Sequence, residues 1–203
     1  KSDPQNPLLH VNLALIQLSQ NNYTDGWKNY SWRLQPPSYL QASFPKKIPM
    51  WDGSNLNHKN ILVYKEQGIG DDIMFAQFLP EISEISNKCF VMCGHRLVPL
   101  YTRSFPNITV IAPLAPDELI NFTRKNSIVF ASPIGELAKY LRPTLSSFKK
   151  PKSYLKADPL AIKKWNDRYL SLGKSLKIGI SWQGGLKNET FKSRSIKLEQ
   201  WLP

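Results

Sequence analysis

Apolar positions set the first reading. Leu9, Leu13 and Ile16 recur at i, i+4 and i+7, so the chain opens in an amphipathic helix. Asn21 and Asn22 interrupt that pattern. Asn22 is placed to cap a second helix with Asp25 at its third position, where a carboxylate meets unpaired N–H groups. Tyr23, Trp27, Tyr30 and Leu34 continue a second stripe, and the pair reads as an αα-hairpin over 1–35. Pro36, Pro37, Pro45 and Pro49, with no sustained period around them, mark 36–57 as a linker. Trp51 within it is expected to plug against the domain that follows.

From residue 58 the pattern changes. Apolar runs at 60–64, 89–92, 108–111 and 127–130 are short and bounded by polar residues, as in strands buried on both faces. Helical spacing separates them at 72–85, where Pro80 is a kink or a stop, and at 96–101. Residues 137–141 make a helical turn stopped by Pro143. This alternation predicts an α/β fold: a Rossmann-like, doubly wound parallel sheet over 58–157. A lysine- and proline-rich exit at 147–154 leads to a helix over 159–172, with Asp158 as cap, Pro159 in its first turn and Gly173 at its end. A further strand at 177–182 runs into Gly184 and Gly185. Residues 158–203 therefore read as a connecting helix and the truncated start of a second α/β domain.

Composition narrows the class. The 203 residues are 41% hydrophobic and 21% charged, which excludes a mainly disordered chain. No apolar run approaches the ~18 residues of a membrane span. The opening Lys1, with no signal-like stretch after it, and the closing Trp201-Leu202-Pro203 suggest a piece of a longer protein. The net charge of +12 is uneven: residues 1–100 carry 9 Lys/Arg against 8 Asp/Glu, and residues 101–203 carry 18 against 7. A basic second half suits an anionic partner, such as a phosphate or peripheral contact with an anionic membrane, or it is a solubilising surface. Nucleic acid is disfavoured, because no aromatic-plus-basic RNA signature or paired recognition helix is present.

Cys89 and Cys93 lie on one strand. They share a face, but their Cα atoms are expected ~13 Å apart at ~3.3 Å per residue, too far for a disulfide. His95 alone does not complete a zinc site. Two buried thiols in a reducing cytoplasm is the reading adopted.

The chemistry concentrates in Glu66-Gln-Gly-Ile-Gly-Asp-Asp72, between the first strand and the first helix of the α/β region. Open α/β sheets bind ligands at the carboxyl ends of their strands. Ile73 stands where the dinucleotide fingerprint has its third glycine, and no Gly-Lys-Ser/Thr follows, so neither phosphate-loop signature is met. What remains is a turn that offers carboxylates. Asp71 is either a general base facing a cleft or the cap of its helix. Asp72, about 100° further round the helix, is expected on the surface or in a capping role. Glu66 binds a substrate hydroxyl or hydrogen-bonds its own loop. His95 and 132–136 end strands on the cleft side. His10 is expected to pack against a preceding helical repeat, and His58 to sit exposed in a turn.

These residues carry a resemblance. Asn12-Leu-Ala-Leu15, Tyr23 and Gly26-Trp27 resemble the final repeat of a tetratricopeptide array. Trp51-Asp-Gly53, Lys59-Asn-Ile-Leu-Val63, Glu66 to Asp71 and Phe75-Ala-Gln-Phe-Leu-Pro80 are similar to the glycosyltransferase region that follows such repeats in many bacterial proteins. That region is related to heptosyltransferase-type GT-B enzymes. Residues 151–158, 178–184 and 193–198 add supporting matches, so the resemblance spans nearly all of the chain.

The resemblance implies a two-domain enzyme with acceptor and nucleotide-sugar held by different halves and no bound metal or other cofactor. Asp71 is then the general base. Glu66, Gln67, Gly68, Gly70 and His95 would contact a saccharide or protein acceptor. Gly184, Gly185, Lys192 and Arg194 would meet donor phosphates. The glycine-rich elements that hold most of a nucleotide in the family lie beyond this chain, so the fragment is expected to lack activity. The stretch 186–192 also lacks the His and Asp expected of relatives. Two other readings stand beside it: a non-catalytic interaction scaffold with partners on the repeats, and a nucleotide-dependent enzyme of unrelated chemistry on the same sheet.

Overall fold

In the computed structural model, residues 3–35, 48–150, 152–181, 195–197 and 200 are described. Contacts divide the chain into two compact units, Lys1–Asp158 and Pro159–Pro203.

Four strands form the centre of the first unit: β1 (Asn60–Tyr64), β2 (Lys88–Met92), β3 (Thr109–Ile111) and β4 (Ile128–Pro133). All pairings are parallel, in the order β3-β2-β1-β4. Alternate residues of each strand serve opposite faces. Ile61, Val63, Cys89 and Val91 join one core; Leu62, Tyr64, Phe90 and Met92 join the other. Two covered faces explain why these strands read as unbroken apolar runs.

The helices follow from the strand order. The chain steps outward from β1 to β3 through α3 (Ile69–Phe75), α4 (Leu79–Ile85) and α5 (Val98–Ser104), which pack on the first face. It then reverses past β1 to reach β4, and α6 (Pro116–Lys125) lies on the opposite face through Leu119 and Phe122. A fixed hand of crossover places helices on opposite faces when the direction of stepping reverses. The result is a doubly wound, Rossmann-like α/β fold. α7 (Leu137–Leu141) closes the first face.

Several boundaries differ from the sequence reading. The helix expected over 72–85 is two helices joined by a 3₁₀ turn, Ala76–Phe78, because Pro80 in the first turn of α4 has no N–H to continue a ladder. α6 is a helix that apolar spacing did not reveal. Its start is built from Pro116 in the first turn and Glu118 accepting the Ala115 N–H at 2.9 Å. Pro49 and Trp51 exchange backbone hydrogen bonds with Ala131 of β4, so the end of the linker covers that sheet edge. Trp51 is buried against the Tyr140 ring.

The hairpin comprises α1 (Pro7–Ser19) and α2 (Tyr23–Tyr30), continued by a 3₁₀ turn, Ser31–Leu34. Asn22 caps α2 by accepting the Asp25 N–H, as its position requires. His10 packs within the hairpin, stacked on Trp32 with ring centroids 3.9 Å apart. The apolar stripe of α1 stays uncovered: Leu8, Leu9, Leu13, Leu15 and Ile16 keep 44–56% exposure.

In the second unit α8 spans Pro159–Ser171, and Gly173 follows at φ +79°. Residues 177–181 form no strand. A parallel strand needs a hydrogen-bonded neighbour, and the described residues supply none there. The last residue of that expected strand, Trp182, lies outside the described residues.

Candidate functional site

A cavity of about 360 Å³ opens at the carboxyl ends of β1 and β2, lined by Lys65, Gln67, Asp72, His95, Arg96 and neighbouring apolar residues. The sheet dictates this place: parallel strands all deliver their following turns to one edge, and β1 and β2 are adjacent. Lys65, His95 and Arg96 are exposed cationic or titratable side chains. Asp72 contributes a carboxylate that is 3% exposed.

Asp72 is where the structure departs furthest from the sequence reading, which put it on the surface. The helix starts at Ile69, earlier than the apolar spacing indicated, and this turns Asp72 inward. Its Oδ1 is buried without a hydrogen-bond partner among the described residues. Its main-chain carbonyl accepts the Tyr101 hydroxyl at 2.7 Å, which pins the first turns of α3 to α5. Burial pushes the Asp72 carboxyl up to about 6; Lys65 opposes that rise, and Asp71 and Glu66 add to it. A buried acceptor without a donor is costly, and such groups gather at sites that bind or react.

Asp71 has a different setting. It is half-buried at the third position of α3, and its Oδ2 accepts the Gly68 N–H at 3.1 Å. That bond is the return half of a capping box; Gly68 has no side chain to supply the other half. Asp71 is not among the side chains lining the cavity. Gly68 and Gly70 are exposed on the turn itself.

Glu66 faces inward. Its side chain is 1% exposed and grips Arg33 through Nε at 2.8 Å and Nη2 at 2.7 Å. Arg33 Nη1 reaches Glu136 at 2.6 Å and the Tyr30 carbonyl at 2.8 Å. Burial opposes the guanidinium charge, but Glu66 and Glu136 outweigh burial and hold the arginine above its ordinary value. Gln67 donates from Nε2 to the Tyr30 hydroxyl at 2.8 Å. Arg33 and Glu136 were not singled out as an ion pair by the sequence, which shows neither the fold's long-range juxtapositions nor a local motif around them.

Thus Gln67 and His95 meet at the cavity with Asp72. Glu66 is committed to the hairpin, and Asp71, Gly68 and Gly70 shape the turn. Gly184, Gly185, Lys192 and Arg194 lie outside the described residues. Among the described residues, no three His, Cys, Asp or Glu side chains gather as a metal site.

With this geometry in place, one comparison is informative. The chain is 30% identical to Protein FlbA of Caulobacter vibrioides over 204 residues, covering 94% of this chain and 34% of that protein. The chain therefore spans about a third of the length of this curated relative. No protein-family model matches the chain. No solved structure matches it.

Proposed function

We propose that the chain belongs to a glycosyltransferase that moves a sugar from a nucleotide-sugar to a hydroxyl of a saccharide or protein acceptor, with the acceptor seated in the cavity above β1 and β2. The observation that carries this reading is the Glu66–Asp72 block in its strand–turn–helix setting, with a buried, unpaired carboxylate beside a cavity at the carboxyl edge of a parallel sheet. Such a carboxylate accepts hydrogen bonds from acceptor hydroxyls.

In the reaction, the acceptor O–H gives its proton to a carboxylate while its oxygen attacks the anomeric carbon. The bond from that carbon to the nucleoside diphosphate breaks, and the diphosphate leaves with the electron pair. The resemblance assigns the base to Asp71, which does not line the cavity, so the attacking hydroxyl must lie over the turn while the rest of the acceptor fills the cavity. Asp72, Gln67 and His95 then orient the acceptor from the cavity. Gly184, Gly185, Lys192 and Arg194 are the candidates for meeting leaving-group charge. This chain alone is expected to be inactive, with activity confined to the full-length protein. The two free, buried thiols fit a cytoplasmic, reducing setting. Among the described residues no helix is long and apolar enough to cross a membrane.

The test is a panel of nucleotide-sugars offered to the full-length protein, with saccharide acceptors and direct binding measured alongside turnover. Binding of one donor and transfer to an acceptor are expected. Asp71→Asn is expected to lower kcat by ~10²–10⁴ with donor binding little changed. Asp72→Asn is expected to act chiefly on acceptor KM. A full-length protein that binds no nucleotide-sugar overturns the reading.

A second reading, an interaction scaffold, has its own observation: the uncovered leucine-rich face of α1. Capture of a protein partner by that face without any nucleotide-sugar binding would favour it.

A further inference from the structure

In a sheet ordered β3-β2-β1-β4 the direction of winding reverses between β1 and β4. That switch point is where doubly wound sheets commonly receive ligands. Here the protein fills it with its own side chain. Arg33, fully buried, comes from the 3₁₀ turn after α2 and joins Glu66, which follows β1, to Glu136, which follows β4. Ser31 of the same turn donates its hydroxyl to Glu136 at 2.9 Å. Gly135 N–H donates to Glu66 Oε1 at 2.8 Å. A Cβ at Gly135 would stand 2.6 Å from Glu66 Oε1 and 2.9 Å from Arg33 Nη2, so any side chain there would have to push the ion pair aside.

We infer that Arg33 is a positioning residue for the cavity: by clamping Glu66 and Glu136, it makes the helical hairpin the support of the 65–72 turn, and so sets where Lys65, Gln67 and Asp72 stand. Beyond the Tyr101 hydroxyl on the Asp72 carbonyl and the Gly135 N–H on Glu66, the turn's other bonds among the described residues are local or confined to the strand end. Gly68 and Asp71 bond one another, the Asp72 N–H meets the Gly68 carbonyl, and the Lys65 N–H meets Met92. The side chains that fix the middle of the turn to the body of the domain both reach the hairpin: Glu66 to Arg33, and Gln67 to Tyr30. Tyr30 also lies under the guanidinium, 4.0 Å from its ring centroid, so one residue of α2 steadies both contacts.

Electrostatics strengthens the link. Glu66 repels the Asp72 carboxylate, and Arg33 is the cation that neutralises Glu66. The inference needs the cavity and its turn; it does not need sugar transfer.

The experiment compares Arg33→Met, Arg33→Lys and Glu136→Gln in the 203-residue chain by residue-resolved hydrogen exchange and by carboxyl-carbon NMR titration of Asp72. In Arg33→Met the amides of Lys65, Asp72 and Gly135 are expected to exchange about tenfold or more faster relative to Val91 in β2, because the opening is local. The Asp72 titration is expected to move to higher pH as Glu66 loses its cation. Arg33→Lys keeps the charge but not the two-pronged grip, so it is expected to restore the titration while leaving the turn less protected. Should Arg33→Met not fold, Arg33→Lys, which gives up one of the two bonds to Glu66, carries the exchange test, with Glu136→Gln as the control that retains both. In Arg33→Lys the same local pattern is then expected at Gly135 and Asp72, with smaller amplitude.

Equal acceleration at every amide, Val91 included, with the Asp72 titration unmoved, reduces Arg33 to a purely structural residue and overturns the inference. Unchanged protection of the turn in all variants that fold does the same. Neither readout uses a substrate, so missing transferase activity overturns the proposed function and leaves this inference standing.

Discussion

Asp71 and Asp72 are consecutive residues held in opposite ways: Asp71 bonds the Gly68 N–H at 3.1 Å on the start of its own helix, while Asp72 is buried with Oδ1 unpaired. The first carboxylate is bonded and half-buried; the second is sealed in, where burial penalises its charge. That contrast carries a stability signature.

Burial raises Asp72 from 3.8 to about 6, so its ionisation favours the unfolded chain. Below pH ~3.8 both states are protonated and the penalty is absent. It grows as the pH rises towards 6 and is complete above that. The shift corresponds to a loss on the order of 2–3 kcal/mol. Asp72→Asn is therefore expected to be more stable than wild type at pH 8 and close to it at pH 4, measured by urea unfolding at both. Equal differences at the two pH values contradict the buried-charge account.

Gly53 sits at φ +88°, and a Cβ there would approach Tyr140 Cδ1 to 2.5 Å. Gly53→Ala combines backbone strain with displacement of the ring that packs on Trp51. We expect a loss of about 2 kcal/mol, read as a lower urea midpoint at unchanged slope. A wild-type midpoint would show that the turn relaxes freely.

Cys89 and Cys93 are both buried and free. Burial pushes each thiol up to about 12. Neither is expected to react with an aromatic disulfide reagent in the native protein at pH 8, and both are expected to react once urea unfolds it. Rapid labelling of either in native protein contradicts this packing.

The face of α1 offers a control. Leu13 is 44% exposed, so Leu13→Gln is expected to change stability by less than ~0.5 kcal/mol. A larger loss, measured by thermal or urea unfolding, means that this face is covered in solution.

The sheet was legible because its strands are short, largely apolar runs, a signal complete within three to six residues. The capping of α2 was equally local: Asn22 and Asp25 are three residues apart. α6 escaped notice because its apolar face rests on Leu119 and Phe122, with a start set by Pro116 and Glu118 rather than by periodicity. Residues 177–181 of the expected strand form none for a different reason, since apolar alternation is not enough without a neighbour to pair with, and the described residues supply none. At the cavity, the sequence marked the turn from Glu66 to Asp72 but not which acid turns inward, because that depends on where α3 starts. Arg33 was invisible. Its partners lie 33 and 103 residues away, and nothing beside it announces a buried cation.

The clamp around Arg33 also bears on how such a protein can be rebuilt by recombination. Helical hairpins are often treated as interchangeable modules spliced ahead of an α/β domain. Here the hairpin of α1 and α2, with its 3₁₀ turn, contributes one member of a three-residue charge set whose other two members follow strands of the sheet. Exchanging either part alone leaves charge sealed in the interior without its counterpart, at a cost of ~3–5 kcal/mol. The workable splice point therefore lies before α1, and chimaeras joined between residues 35 and 48 must carry Arg33, Glu66 and Glu136 together.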